Sequence, residues 1–264
     1  MKKFYLFALP FICLLTFSAD VQAQAILDES YRQPGNEESA GLNLLKVNVT
    51  ALPLRNFSFQ YERPISQKTS VALGLRLMPN GGAPLESVIE GFFDEGDDVR
   101  DQIGNLKLSN FAITPEFRYY TGGEALRGFY LAPFLRYATY SASLPYDYDY
   151  EHPIEGVIEN TIDLDGRIGT FTGGLMIGAQ WRLSKLVYLD WWILGPQYGI
   201  ASGNIDGRQN LSPEEEAALR DELAELEDLP LVNVTSEVNS QGAKVDFSGP
   251  WAGLRAGLAI GFRF

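Results

Sequence analysis

From residue 45 the chain alternates apolar and polar residues with a period of two. Over 45–51, Leu45, Val47, Val49 and Ala51 alternate with Lys46, Asn48 and Thr50. Over 56–63, Phe57, Phe59 and Tyr61 alternate with Asn56, Ser58, Gln60 and Glu62. Over 69–78, Val71, Leu73, Leu75 and Leu77 face away from Ser70, Ala72, Gly74 and Arg76. Over 108–120, Phe111, Ile113, Pro115, Phe117 and Tyr119 face away from Asn110, Ala112, Thr114, Glu116 and Arg118. The same pattern predicts strands over 128–140, 168–182, 186–200 and 249–264. Period two belongs to strands with two unlike faces. A strand of about ten residues crosses a bilayer when tilted.

The last strand is the most regular. Ala252, Leu254, Ala256, Leu258, Ile260, Phe262 and Phe264 share one face, with Gly253, Arg255, Gly257, Ala259, Gly261 and Arg263 on the other. Ile260, Phe262 and the terminal Phe264 resemble the C-terminal assembly signal of bacterial outer-membrane barrels. In the seventh strand Asp190 points inward and Val187, Leu189, Trp191 and Ile193 outward, which leaves Trp192 and Leu194 inside. Gly195-Pro196 reads as a bulge that resets the register.

Connections alternate in length. Short turns near Ser66-Gln67, Thr121 to Arg127 and Ser184-Lys185 alternate with long loops over 79–106, 141–166 and 203–246, and a tight connection at Pro53 to Arg55 joins the first two strands. Short turns at one end and long loops at the other is the outer-membrane arrangement. The predicted fold class is therefore all-β: an eight-stranded antiparallel up-and-down transmembrane β-barrel with long extracellular loops. A soluble periplasmic sandwich or lipocalin-like barrel is the alternative, but it would keep its bulky apolar face inside.

The face opposite the bulky apolar one holds Lys46, Glu62, Arg76, Glu116, Arg118, Arg136, Arg182, Asp190, Arg255 and Arg263. An eight-stranded interior is just wide enough for side chains. Charges confined there must find partners, so these ten residues are the predicted interior charge network. Glu116 is expected to pair with Arg118 or Arg136. Arg118, Arg182 and Arg263 are expected to reach water at the turn side. Lys46, Arg76, Arg136 and Arg255 are expected to form a positive ring nearer the loops. Tyr61, Tyr119, Trp181 and Phe264 on the turn side, with Phe57 and Trp251 on the loop side, are expected as aromatic girdles.

Composition narrows the function. The chain has 264 residues, which suits one large domain. One Cys and one His exclude a disulfide framework and clustered Cys or His metal sites. A net charge of −13 argues against a nucleic-acid partner. Lys2-Lys3, the apolar run Phe4 to Phe17 and the small residues of Val21-Gln22-Ala23 predict a secretory signal peptide over 1–23. A polar arm over 24–40 and the barrel over 41–264 complete the expected organisation.

Lys46-Val47-Asn48, Tyr61-Glu62, and Pro115-Glu116-Phe117-Arg118-Tyr119-Tyr120 followed by Arg127-Gly128-Phe129-Tyr130 resemble the small outer-membrane β-barrels of unknown function common in Bacteroidetes. The resemblance is best over the first five strands and leaves out the long loops. It implies an eight-stranded barrel in the outer membrane of a Gram-negative bacterium. It implies no assigned activity and carries over no catalytic residue.

The three long loops hold 25 of the 34 Asp and Glu residues and 4 of the 21 Lys and Arg. The outward end is therefore acidic. Asp94, Glu95, Asp97 and Asp98 form a possible cation-binding loop without EF-hand spacing, and no metal is assigned to it. Tyr146, Tyr148 and Tyr150 alternate with acids, as a hairpin continuing the fifth strand would. Ser212, Pro213 and Glu215 form a capping box that predicts one short helix in the last loop, with Leu219, Leu223 and Leu226 as its apolar stripe. His152 with Ser141 or Ser143 is a weak base for catalysis, since it sits in a loop. The reading that results is a non-enzymatic outer-membrane barrel with a structural or surface-interaction role. It needs no cofactor. Its partners are outer-membrane lipid, lipopolysaccharide and the barrel-assembly machinery. A narrow pore and a lipid-modifying enzyme are the alternatives.

Overall fold

The computed structural model describes residues 43–84, 104–152, 156–227 and 232–264, over 146–152, 156–160 and part of the helix by their backbone. The leader, the arm and the Asp94 to Asp98 loop lie outside the described residues.

Nine strands and one long helix make up these segments. They are β1 (Leu44–Asn48), β2 (Phe57–Pro64), β3 (Thr69–Gly82), β4 (Lys107–Tyr120), β5 (Gly128–His152), β6 (Gly156–Arg182), β7 (Val187–Arg208), α1 (Pro213–Glu227), β8 (Asn233–Asn239) and β9 (Gly242–Arg263). All pairings are antiparallel, in the order β1 to β7 and then β9. β1 also pairs with β9, from Leu44 opposite Arg263 to Asn48 opposite Ala259, so eight strands close a ring. Asn43 and Phe264 tie this seam: Asn43 N–H donates to Phe264 O at 3.1 Å, and Phe264 N–H to Asn43 O at 2.9 Å. The turns β2–β3, β4–β5 and β6–β7 lie at the same end.

β1 stops three residues earlier than the alternation predicts. Asn48 Oδ1 accepts from Ala51 N–H at 3.1 Å and from Thr50 Oγ1 at 2.8 Å. This side-chain turn competes with the ladder and sends the chain into a 3-10 turn at Leu52–Leu54. β3 runs on to Gly82, and four other strands run far beyond their predicted ends. β5 and β6 stay paired from Gly128 opposite Gln180 to His152 opposite Gly156. β7 and β9 stay paired out to Arg208 opposite Gly242. The ring therefore carries a one-sided extension away from the turn end. β8 was not legible in the sequence. It pairs with β9 over Asn233 to Asn239, and so covers an edge of β9 that the short β1 leaves open. Gly242, at φ 134, begins β9, and a Cβ there would strike Gly207 O.

The seventh strand needs one correction. The register slips between Trp192 and Gly195 against β9, and between Ile177 and Gly178 against β6. The bulge lies at Ile193 and Leu194, just before Gly195-Pro196. It leaves Trp192 inside, buried, and turns Leu194 outward. Trp251 is also corrected: it shares the inner face with Arg255 and packs on Tyr140, ring centroids 5.8 Å apart.

α1 begins as the capping box predicts. Glu215 N–H donates to Ser212 Oγ at 3.3 Å, and Ser212 N–H to Glu215 Oε2 at 2.7 Å. Arg220 donates to Val238 O at 3.2 Å, which ties the helix to β8, and Leu223 is buried.

Side-chain polarity divides the ring into two zones. Over its lower part the outward face is apolar: Phe59, Leu73, Leu75, Phe117, Leu131, Leu135, Leu175, Ile177 and Leu254 are all exposed. The inward face is polar. Above a row formed by Tyr137, Phe171, Ile200 and Pro250, which are successive register partners, the assignment reverses. There Ile162, Leu164 and Ile168 of β6 take the inner face, while Asp163, Asp165 and Arg167 stand exposed outside. Lys244 and Asp246 of β9 pair at 2.7 Å on the same outer face.

Candidate functional site

The interior of the lower zone is a two-tier cluster of charged and aromatic residues. Its position follows from parity: Lys46, Gln60, Glu62, Glu116, Arg118, Tyr120, Tyr130, Arg136, Gln180 and Asp190 all occupy inward positions of their strands.

The lower tier is closed. Lys46, Glu62, Arg118 and Asp190 are each fully buried. Lys46 Nζ pairs with both Glu62 and Asp190 and donates to Gln180 Oε1 at 2.9 Å. Arg118 Nη1 reaches Asp190 Oδ2 at 2.7 Å and Glu62 Oε2 at 3.3 Å, while Nη2 reaches Gln60 Oε1 at 2.8 Å and Glu116 Oε2 at 3.0 Å. Neutral donors complete the carboxylates. Tyr120 OH donates to Glu62 at 2.6 Å, Tyr130 OH to Asp190 Oδ1 at 2.7 Å and Trp192 Nε1 to Asp190 Oδ2 at 3.1 Å. Ser70 Oγ also donates to Glu62. The Arg118 guanidinium lies over the Tyr130 ring, 4.4 Å from its centroid. Buried charges are tolerable when paired and saturated with hydrogen bonds in this way.

The upper tier is cation-rich. Arg255 Nη2 donates to Glu116 Oε1 at 2.8 Å, and its guanidinium lies 4.4 Å from the Phe134 centroid and 5.3 Å from that of Trp192. Arg136, buried, donates from Nη1 to Thr114 Oγ1 at 3.2 Å. Arg76, half-buried, donates from Nε to Asn56 Oδ1 at 2.9 Å. Arg76, Arg136 and Arg255 lie close enough to repel one another, with the Tyr140 hydroxyl near the first two.

Several expectations change. Arg118, expected to reach water, is instead sealed at the centre of the lower tier. Lys46 belongs to that tier and not to the ring nearer the loops. Glu116 pairs with Arg118 and Arg255; Arg136 is not its partner among the described residues. Arg182 and Arg263 stand apart from the cluster. Arg182 is exposed and donates from Nε to Ser184 O at 3.2 Å; Arg263 Nη1 meets Tyr188 OH at 3.2 Å. Both help line a shallow cavity of about 200 Å³ at the turn end, with Arg127 and Glu124. Phe262 and Phe264 are exposed on the outward face, and Ile260 is half-buried there.

Sequence reasoning missed Tyr120, Tyr130, Trp192, Gln60 and Gln180 as members of the cluster. Parity alone places the first two inside, since Tyr120 follows Arg118 by two residues and Tyr130 precedes Arg136 by an even step. Nothing in the sequence reports which strands' residues meet across the ring. No His, Cys, Asp or Glu grouping suited to a metal occurs among the described residues. No family model, curated protein or solved structure matches this chain.

Proposed function

We propose that this chain is an integral outer-membrane β-barrel of a Gram-negative bacterium, exported by its leader and inserted by the barrel-assembly machinery. Its role is non-enzymatic, structural or adhesive, exercised through acidic loops and the sheet extension outside the membrane. The observation that carries this reading is the polarity reversal along β6. Below Phe171 the outward side chains are apolar and the inward ones polar; above it Asp163, Asp165 and Arg167 face out. A protein wholly in water has no reason to expose a continuous belt of Leu, Phe and Ile, nor to reverse it at one level across adjacent strands. A bilayer gives that reason: its core demands a closed sheet and an apolar surface, and its boundary ends the demand. The sealed lower tier supports a plug and not a pore.

The test is cell fractionation with heat-modifiable electrophoretic mobility. The intact protein should pellet with outer membranes, resist extraction by urea, and run faster unheated than boiled. Recovery of the intact chain in the soluble periplasm would sink the proposal. The surface role is tested separately by surface proteolysis of whole cells, which should cut beyond the Tyr137 to Pro250 row and not within it.

A further inference from the structure

The charges inside the ring do not balance tier by tier. Lys46 and Arg118 are matched below by Glu62 and Asp190, and Arg255 takes Glu116. Among the described residues, Arg76 and Arg136 have no carboxylate within ion-pair distance. A buried cation without counter-charge is costly, and mutual repulsion among Arg76, Arg136 and Arg255 adds to desolvation.

Among the buried donors without a partner, two are cationic and mark where a counter-charge belongs. Arg136 Nε and Arg255 Nη1 are buried and make no hydrogen bond. Both residues are at least nine-tenths buried, at 5% and 9% exposure. One neighbouring nitrogen of each group is engaged: Arg136 Nη1 with Thr114, and Arg255 Nη2 with Glu116. The vacant hydrogen-bonding capacity is thus on two different guanidinium groups that lie near one another. Guanidinium edges match the paired oxygens of a carboxylate or phosphate, and charge-assisted bonds of this type are about twice as strong as neutral ones.

We infer that the upper tier is an anion site, in which Arg136 and Arg255, with Arg76 beside them, hold a small oxyanion of the carboxylate or phosphate class. The inference does not rest on membrane location; it holds for the closed ring in any surroundings. The site lies above the seal formed by Lys46, Arg118, Tyr120 and Tyr130, so its anion arrives from the side of the extension. The Tyr140 and Trp251 rings are half-buried beside that approach. An eight-stranded interior is just wide enough for side chains, which leaves small solutes as the chemistry that fits.

The experiment is isothermal titration of the refolded full chain in detergent with inorganic phosphate, and separately with acetate, at constant ionic strength set by chloride. Saturable binding with one site is expected for at least one of the two, and which one answers names the source. Arg136→Gln should weaken it by about tenfold or more, the loss of one charge-assisted bond. Arg127→Gln, at the opposite end, should leave it unchanged. If Arg136→Gln fails to reach the heat-modifiable folded form, the half-buried Arg76→Gln carries the same comparison. Absence of saturable binding by either anion at tens of millimolar overturns the inference, as does equal binding by the Arg76 or Arg136 variant and the parent.

Discussion

Arg118 Nη1 donates to Asp190 Oδ2 at 2.7 Å across the interior of the ring, joining β4 to β7. These strands are not neighbours; β5 and β6 lie between them. Backbone ladders fix each strand only to the next. A side-chain bond between strands that do not pair instead fixes the cross-section of the ring. Lys46 of β1, Tyr130 of β5 and Trp192 converge on the same carboxylate, so Asp190 gathers β1, β4, β5 and its own β7 at one point.

Asp190→Ala should therefore cost more than an ordinary buried pair. It leaves Lys46 and Arg118 sealed with Glu62 and Glu116 alone, and it orphans the Tyr130 hydroxyl and the Trp192 indole. A loss of about 3–5 kcal/mol is expected, read from urea unfolding of the refolded protein in lipid vesicles. Arg118→Met combined with Asp190→Ala should cost less than the sum of the two, because each removes the other's unpaired charge. Strict additivity would mean that the pair is not coupled.

Glycines set how closely the interior packs. A Cβ on Gly178 would collide with the Tyr130 ring, whereas one on Gly173 would meet Leu135 Cδ2 at an ordinary 3.6 Å. Gly178→Ala should push Tyr130 off Asp190 and cost about 1–3 kcal/mol. Gly173→Ala should be close to neutral. Chemical denaturation of the two variants side by side decides it, and equal stabilities would show that Tyr130 has room to move.

Much of the architecture was legible because alternation is a local signal. Leu73 against Ala72, or Phe117 against Glu116, declares two faces without reference to any other strand. The eight ring strands follow from it. The signal failed where the faces exchange polarity. Beyond Phe171 the alternation continues, but Ile162 and Leu164 now point in and Asp163 and Asp165 out, so a loop rich in acids concealed the continuation of a strand. β8 was hidden likewise, its Val234 and Val238 separated by Thr, Ser and Glu. The interior cluster was legible as a list and not as a set of pairs. Which residues meet depends on register and on the bulge at Ile193 and Leu194, and neither is encoded within one strand. Lys46 shows the consequence: parity places it inside, and only the pairing with Gly261 and Gln60 sets its height.

The polarity boundary gives a contrast in charge tolerance. Leu73, exposed and outward, lies within the apolar belt; Ser202, also outward and exposed, lies just beyond Ile200. In the proposed bilayer Leu73→Arg should cost about 2–4 kcal/mol and Ser202→Arg roughly 0–1 kcal/mol. Ser70→Arg is not a mild control, since Ser70 is fully buried against Glu62. Equal costs at Leu73 and Ser202 in vesicles would remove the boundary from the level of the Tyr137 to Pro250 row.

Phe264 joins two roles. Its backbone closes the seam with Asn43, and its side chain stands 60% exposed on the outward face. Phe264→Ala keeps the backbone bonds and should slow assembly in cells while leaving the refolded protein near parental stability. Deleting Phe264 removes both, and should lower the yield of heat-modifiable protein in vitro as well. A side-chain variant that assembles at the parental rate would argue against recognition by the assembly machinery.

The last prediction concerns conduction. Loops folding over the mouth are one way to shut a narrow ring, but here the closure lies deeper. Lys46, Arg118, Tyr120 and Tyr130 are all within 1% of complete burial, and their polar atoms are directed at one another. An ion passing this level would have to break bonds to Asp190 or Glu62. The intact protein should therefore be silent in planar bilayers. Trimming the 85–103 segment should leave it silent, because the seal does not depend on it. Tyr120→Ala with Tyr130→Ala should admit current, since the two buried rings, 5.4 Å apart on paired strands, stand in the interior at this level and that of Tyr130 stacks on the Arg118 guanidinium. The current should favour anions, because the upper-tier arginines face the path. Steady conductance of the parent protein, or opening by loop removal alone, would transfer the gate from the lower tier to the mouth.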